Sequence, residues 1–541
     1  MTSLLDMPLK ERTLGRLLAK RAEFSGDRTC LMFEDETFTY RQANELTNRL
    51  ANGLLSAGVR SDDHVALIID NKPDMLWVNF AIARIGGVIV PVNTAAKEDL
   101  LAYYINHSDS SVVIVDAAHL DRYLAVQDRC PAVRMLCVYE GEAFDVADAQ
   151  SRSRVPVVGW SDVLATSVEP PAVTVRFDQL AYILYTSGTT GPSKGSMVSH
   201  ATAIGIVMKY VRAFGYREDD VLYTCLPLFH SNALNTSALP AFLAGGTLAL
   251  SRRFSARNFW SEVRRYGATQ FSLLSAMINI IWNRPPGPED RDHKVRLCQI
   301  LPTPPFFNEF QERFGVKITS VYSLTDFGMG SILGPDHPPE KWRSAGRVQP
   351  DVAVAILDKD DMPLPIGAVG EICLRNNEPW ICRQGYYKMP EAYMKACRNL
   401  WFHSGDRGYL DEDGYLYWVD RVKDSIRRRG ENVSAWEVEQ IIERHPAVAE
   451  AAAFAVRSEL SEDEVMVSVV RKEGCALEAQ ELIRYCDAHM AYFMVPRFVD
   501  FMDSLPKTMS QKIEKYKLRQ SAESRLGEIW DRERAGIALT R

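Results

Sequence analysis

"YTSGTTGPSKG", Tyr185 to Gly195, follows the apolar run "LAYIL", Leu180 to Leu184. Its glycines let backbone N–H groups turn inward and approach an anion closely. The hydroxyls of Thr186, Ser187, Thr189, Thr190 and Ser193 can donate to phosphate oxygens, and Lys194 adds a movable positive charge. The pattern predicts a buried strand that runs into a phosphate-holding loop. A nucleotide-hydrolase P-loop needs G-x-x-x-x-G-K-[ST]. Counted from Gly188, Ser193 stands where the second glycine belongs and Gly195 where the hydroxyl residue belongs. The loop is therefore built for an anion on other terms. A plain Gly/Ser/Thr surface loop shares its composition, but the strand in front and the single lysine favour a phosphate site.

Upstream of the loop, helix and strand patterns alternate. "YRQANELTNRLANGLLSAGV", Tyr40 to Val59, spaces Ala43, Leu46, Leu50, Leu54 and Leu55 for one helix face, and Gly58 ends it. "HVALII", "VIVPV", "SVVIVD" and "RMLCVY" read as buried strands, with the helix "PDMLWVNFAIARIGG" between the first two. This order predicts parallel sheets covered by helices. Downstream, "VLYTCLPLFH", "ATQFSLLS" and "KITSVYSLTD" read as strands that lead into loops. "VAVAILDKDDMPLPIGAVGEICLR" reads as antiparallel strands around Asp/Pro/Gly turns, a small β unit. Beyond it, Ser434 and Glu437 form an S-x-x-E capping box at the start of a helix. "VAEAAAFAV", "EVMVSVV", "AQELIRYCDAHM" and "RFVDFM" complete a compact α+β module. The expected fold is thus α/β: a large N-terminal domain of parallel sheets covered by helices, residues 1–422, and a small α+β C-terminal domain, residues 423–541.

Length and charge limit the alternatives. A chain of 541 residues exceeds one ordinary core, which supports two or more domains. A formal charge of -7 argues against a nucleic-acid binder, which would carry a basic stripe. No two of the ten cysteines form a C-x-x-C pair, so neither a zinc ribbon nor a redox motif is supported. The charged N-terminus lacks a secretory h-region, so reduced thiols in a cytoplasmic setting are expected. Val221 to Ser251 holds no Asp, Glu, Lys or Arg, yet Pro227, Pro240 and Gly245-Gly246 interrupt it. It reads as buried strand, loop and helix, not as a membrane span.

Five ordered motifs together resemble the adenylate-forming superfamily of acyl-CoA synthetases, luciferases and peptide-synthetase adenylation domains. The first is the loop at Tyr185. "YSLTD", Tyr322 to Asp326, resembles Y-G-x-T-E, and "HSGD", His403 to Asp406, resembles T-G-D. "DRVKDSIRRRGENVSAWEVE", Asp420 to Glu439, resembles the hinge segment, and "LPKTMSQKI", Leu505 to Ile513, resembles P-K-T-x-S-G-K-I. "LPLFH" and "GENVS" are most similar to carnitine/crotonobetaine-type CoA ligases within that superfamily.

The resemblance implies two half-reactions. A carboxylate attacks the α-phosphate of Mg-ATP, and a thiol, commonly that of coenzyme A, then takes the acyl group. It implies that Lys512 bridges carboxylate and α-phosphate; a surface lysine is the alternative, because Lys507, Lys515 and Lys517 lie close. Thr186, Ser187, Gly188, Thr189, Thr190 and Lys194 would hold the outer phosphates. Thr325 would bond the α-phosphate, Asp326 would bind Mg²⁺, Tyr322 would lie against adenine, and Asp406 and Arg421 would hold the ribose. Lys423 would be the hinge. Gly430 and Arg428 would line the coenzyme A channel, Arg427, Arg428 and Arg429 otherwise forming a solvated basic turn. His230 would gate the acyl pocket, which would also draw on Asn232, Asn235, Leu274, Ser275, Met277, Ser323, Gly328 and Met329; a core histidine is the alternative for His230.

Three positions depart from the family pattern. "LPTPP", Leu301 to Pro305, replaces the glycine-rich adenine loop, Gln511 replaces a glycine, and Asp326 replaces a longer glutamate. "SNALN" after His230 offers no carboxylate to a quaternary ammonium, so the acid expected is a medium or bulky apolar one. An acyl carrier or downstream acyltransferase, and a homodimer, stand as candidate partners. Two other readings remain: an adenylating enzyme that passes its acyl group to a carrier or partner enzyme, and a catalytically silent ATP-binding protein.

Overall fold

The computed structural model describes residues 4–139, 144–186, 192–301, 303–304, 306–421, 425–457, 462–506 and 513–540; within these, the side chains of Ser275, Ala276, Asp420, Arg421, Ser425, Asn432 and Trp436 lie outside the description. Among the described residues, two large sheets form the N-terminal body. The first runs Arg347–Val348, Gly328–Leu333, Lys317–Leu324, Leu297–Leu301, Gln270–Leu274, Val221–Thr224, Thr247–Leu250, Thr29–Phe33 and Glu36–Thr39. The second runs Val157–Gly159, Met135–Tyr139, Val112–Asp116, His64–Ile68, Val88–Pro91, Leu180–Thr186 and Lys194–Ser199. Their central pairs are parallel, and antiparallel pairs close both edges of the first sheet and one edge of the second.

Side-chain alternation explains the layering. On His64–Ile68, Val65 and Leu67 enter one core while Ala66 and Ile68 enter another. The first of these cores lies between the sheets. It collects Leu31, Leu222 and Leu250 from one sheet and Val65, Leu67 and Ile114 from the other, around the helices Leu14–Ser25, Tyr40–Ser56, Pro73–Arg84 and His200–Phe214. Pro73–Arg84 is buried along its whole length, as a helix packed on all sides must be. Helices Phe259–Arg265, Ser275–Trp282 and Phe307–Phe314 cover the outer face of the first sheet, and Glu98–His107 and Leu120–Leu124 that of the second. The antiparallel β unit appears as Val352–Leu357, Gly370–Asn376, Trp401–Leu410 and Leu416–Arg421.

The C-terminal lid has its own sheet: Val448–Arg457, Asp463–Arg471, Phe498–Met502 and Trp530–Asp531. Alternation again divides it. Ala451 and Ala453 pack with the helices Ala435–Ile442 and Ala479–His489, whereas Ala452, Phe454 and Val456 pack with Lys515–Arg525. The hairpin Ser425–Arg428/Glu431–Ser434 joins the first face through Ile426 and Val433. All ten cysteines are free thiols. Among the described residues no helix is long and apolar enough to cross a membrane, and the charge-free stretch from Val221 folds as a buried strand, a loop and the helical run Ser231–Ala244.

Candidate active site

The loop at Tyr185 joins two antiparallel strands, with Tyr185 opposite Gly195 and Thr186 opposite Lys194. The helix His200–Phe214 begins only after the return strand, capped by the Ser199 hydroxyl, which accepts from the Thr202 N–H at 3.1 Å. This hairpin differs from a strand–loop–helix P-loop, in agreement with the failed spacing, so an anion here would be held by loop N–H groups, hydroxyls and Lys194 rather than by a helix N-terminus. Ser187, Gly188, Thr189 and Thr190 lie outside the described residues.

Several loops converge from the C-terminal ends of strands, where ligands bind in open α/β sheets. Thr186, His230, Leu274 and Thr325 all stand at or just beyond such ends. The Lys194 ammonium sits 4.9 Å from the centre of the Tyr386 ring, and the Tyr386 hydroxyl donates to Asp326 Oδ2 at 2.5 Å. Burial, helped by Asp326, raises the Tyr386 phenol well above its usual range and keeps it a donor. Beside Asp326, Thr325 Oγ1 and Ser231 Oγ share a hydrogen bond of 3.1 Å, which ties this turn to the segment after His230. A further hydroxyl, that of Tyr322, donates to Asp406 Oδ2 at 2.8 Å, and Asp406 is buried. The Arg421 backbone stands opposite Asp406 in the register of the adjacent strands.

The lid enters this site with its hairpin. Arg429 and Gly430 form the two-residue turn at φ +50° and +88°, the positive pair that a tight hairpin of this kind requires. Glu431 Oε2 accepts or shares a hydrogen bond with His230 Nε2 at 2.8 Å. A Cβ on Gly430 would lie 2.2 Å from Leu274 Cδ1, so a larger residue cannot occupy the turn without displacing Leu274. Glu437, at the start of the helix Ala435–Ile442, accepts from the Ser193 N–H at 3.1 Å and from the Ser193 hydroxyl at 2.6 Å. Burial pushes its carboxyl up to about 7, against the pull of those two donors. The Ser434 hydroxyl does cap Glu437 N–H, but the carboxylate assigned to a capping box from sequence reaches the phosphate-loop strand. Farther out, Lys97 donates to the Asp487 carbonyl, Arg444 pairs with Asp99, and Ala95 and Leu100 pack on the lid core.

Arg428 differs from its expected place as an open channel residue. It is 1% exposed, pairs with Glu464 at 2.6 Å and donates to the carbonyls of Phe493 and Val495. Strand alternation turns it into the lid, where its guanidinium serves the lid's own structure. Arg429, at the turn, pairs with Glu533 at 2.8 Å and with Glu464 at 3.5 Å. The basic triple is therefore neither a bare solvated turn nor three free cations.

The expected acyl-pocket residues are distributed unequally. Ser323 is exposed, and Tyr210 of the helix His200–Phe214 bonds to it. A Cβ on Gly328 would lie 3.5 Å from Ile206 Cδ1, whereas Met329 is buried in the core between the sheets and Met277 packs against that core and the next. Asn232 is tied by Thr236, whose hydroxyl donates to its Oδ1 at 3.1 Å. Asn235 lies in a π-turn, Leu234–Ala238, inside the helical run Ser231–Ala244; such turns recur at functional sites. The Ser275 side chain, the Arg421 side chain, Lys423, Gln511 and Lys512 lie outside the description, as do Pro302 and Pro305. Tyr386 and Glu431 were not singled out from sequence, and Glu437 only as a helix-capping residue; their signals were their places in "QGYYKMPEA" and "GENVSAWEVE".

A phosphate-loop hairpin, a buried carboxylate with a tyrosine, and a two-faced lid over both define an adenylate-forming architecture. The chain belongs to the AMP-binding enzyme family: residues 18–387 match that family and residues 437–512 match its C-terminal domain. It is 35% identical over 505 residues to a crotonobetaine/carnitine–CoA ligase of Salmonella heidelberg strain SL476, covering 91% of this chain and 96% of the relative. Among solved structures it is similar to the amide bond synthetase McbA from Marinactinospora thermotolerans, at a TM-score of 0.81 and 25% identity over 94% of this chain and 99% of that one. It also resembles a Mycobacterium tuberculosis fatty acyl CoA synthetase, at a TM-score of 0.68 and 27% identity over 95% and 99% of the two chains.

Proposed function

We propose that the chain is an AMP-forming acid–thiol ligase that activates a carboxylic acid with ATP and passes the acyl group to coenzyme A. The observation that carries this reading is the lid hairpin seated at His230 and Leu274, beside Thr325 and Asp326. A lid used only for adenylation has no need of a glycine turn pressed into that place.

In the first half-reaction an anion must approach a polyanionic nucleotide, so positive and donor groups must converge on the phosphates. Lys194, Thr186, Ser187, Gly188, Thr189 and Thr190 would hold the outer phosphates, and Thr325 the α-phosphate. Lys512 would bridge the two reacting anions as a compact charge on a long stem. Asp326 suits a hard cation: Tyr386 holds one of its oxygens, and the other has no protein partner among the described residues. Bound there, Mg²⁺ would neutralise phosphate charge. Tyr322 would stand against adenine, and Asp406 and Arg421 would hold the ribose.

For the second half-reaction Lys423 would act as the hinge, and Gly430 would leave room for the thiol arm. Glu431 would fix the His230 ring while the thiol enters. The test is a panel of free acids assayed for acid-dependent ATP–pyrophosphate exchange and for consumption of free coenzyme A. Exchange together with thioester formation is expected. Exchange without use of free coenzyme A would transfer the second step to a carrier thiol. Absence of exchange with every acid would leave only nucleotide binding.

A further inference from the structure

Arg383 lies in the segment Ile381–Gln384, which runs along the helix His200–Phe214. The Thr202 hydroxyl donates to the Cys382 carbonyl at 2.9 Å, and the Gln384 N–H donates to the Met197 carbonyl at 3.0 Å. Five arginines are buried among the described residues. Arg21 bonds to the carbonyls of Phe242 and Leu243, and Arg84 to Asn44 and Asn48. Arg428 pairs with Glu464, and Arg532 bonds to Glu533 and the Ile537 carbonyl. Arg383 is 6% exposed, its Nε is enclosed without an acceptor, and no acceptor or carboxylate among the described residues comes within bonding distance of its guanidinium.

A buried charge is retained only where something compensates its lost hydration. For Arg383 the nearby groups are Tyr210, Tyr393 and the carboxylate of Asp326, which act on it through space. Tyr210 bonds Ser323, an exposed residue on the strand that ends at Thr325. The unpaired guanidinium therefore borders the place where an acid would lie with its reacting carboxylate toward Thr325. Burial pushes it down to about 10 against the opposing pull of Asp326, Tyr210 and Tyr393, so it stays charged at neutral pH.

We propose that Arg383 is a specificity residue that pairs with a second acidic group on the substrate, so that the acid activated is a dicarboxylate or similarly two-headed anion. This rests on the acid–CoA ligase reading and replaces the apolar acid expected from "SNALN" alone. A planar guanidinium matches a carboxylate in bidentate fashion, and a buried site built for such a pair rejects analogues that lack the partner. Gly328, Ile206 and the other apolar walls would carry the chain between the two acid groups.

The experiment compares ATP–pyrophosphate exchange for succinate, adipate and suberate with that for butanoate, hexanoate and octanoate, in the wild-type enzyme and in Arg383→Met and Arg383→Lys. The best diacid should exceed its matched monoacid in kcat/KM by at least about tenfold. Arg383→Met should lose that advantage while keeping the monoacid rate and the KM for ATP, and Arg383→Lys should restore part of it. Monoacids that match diacids in the wild type would overturn the assignment, as would equal losses on both acids and on ATP in Arg383→Met. If that variant does not fold, the wild-type series and Arg383→Lys still decide. No exchange with any acid of either series would overturn the ligase reading itself.

Discussion

On one face of the lid sheet, Glu431, Glu437 and Arg444 reach His230, Ser193 and Asp99 of the body. On the other, the helix Lys515–Arg525 bonds back to the lid: Lys515 to Glu439, Arg519 to the Ala455 carbonyl and Arg525 to Asp500. Leu505 and Ile513, which bracket the segment containing Lys512, pack on that second face with Leu518. The strand Val448–Arg457 supplies both faces by simple alternation, so the two faces are separated by the thickness of one sheet. In the proposed reading adenylation would use a pose that presents the second face to the body; the pose described here presents the first.

That contrast is open to a test with opposite outcomes. Lys512→Ala removes the charge proposed to bridge the two reacting anions. It should lower ATP–pyrophosphate exchange by roughly a thousandfold or more, since charge placed for a transition state is the largest single term in such reactions. Thioester formation from supplied acyl-adenylate should survive. Equal loss of both half-reactions would break the division of labour between the faces.

A smaller effect is expected from the first face. Gly430→Ala must both hold φ near +88° and place a Cβ 2.2 Å from Leu274 Cδ1. Displacement of the hairpin by about an ångström costs on the order of 100-fold when positioning is the source of rate. Thioester formation should fall by that order while exchange stays near wild type. Leu274→Val removes the opposing Cδ1 and should recover part of the loss; the recovery is incomplete because the backbone strain remains. Stopped-flow or quench measurements of the two half-reactions check both variants.

The fold was open to sequence because its signals are local and redundant. Parallel strands buried on both faces read as apolar runs, and "VIVPV" or "SVVIVD" has little else to be. Charge, spacing and glycine also pointed to a phosphate loop, of which the flanking strands Leu180–Thr186 and Lys194–Ser199 are described. The site was legible only within single motifs. Nothing in the spacing of Ser434 and Glu437 distinguishes a capping carboxylate from one that crosses to Ser193, because both begin as S-x-x-E. Arg428 misled for a related reason. Three adjacent arginines look alike in sequence, whereas a hairpin strand sends alternate side chains to opposite sides and buries the middle one. Arg383 carries no pattern at all. Its unpaired state is a property of neighbours drawn from distant segments.

The smallest effect concerns pH and the crossing between faces. Glu437 has an ordinary carboxyl value near 4.5 and is pushed up to about 7 in the docked pose by burial; the Ser193 donors oppose this, and Tyr103 and Tyr104 also face it. Because the docked value is the higher one, docking takes up a proton. Its contribution is fully present below about 4.5, weakens as pH rises, and is lost through 7. Glu437→Gln imitates the protonated form at every pH. The wild-type-to-variant ratio of thioester rates should therefore fall by up to roughly tenfold between pH 6 and pH 8, the limit set by that pair of values. Using the ratio removes the opposing gain from thiol ionisation, which both proteins share. The same ratio for pyrophosphate exchange should stay flat, because the adenylating pose does not need Glu437 at Ser193. A flat thioester ratio would mean that the carboxylate is already neutral or that docking is never limiting. A slope in both half-reactions would mean that Glu437 serves the phosphate loop itself, and the contrast between the lid's faces would have to be redrawn around Ser193.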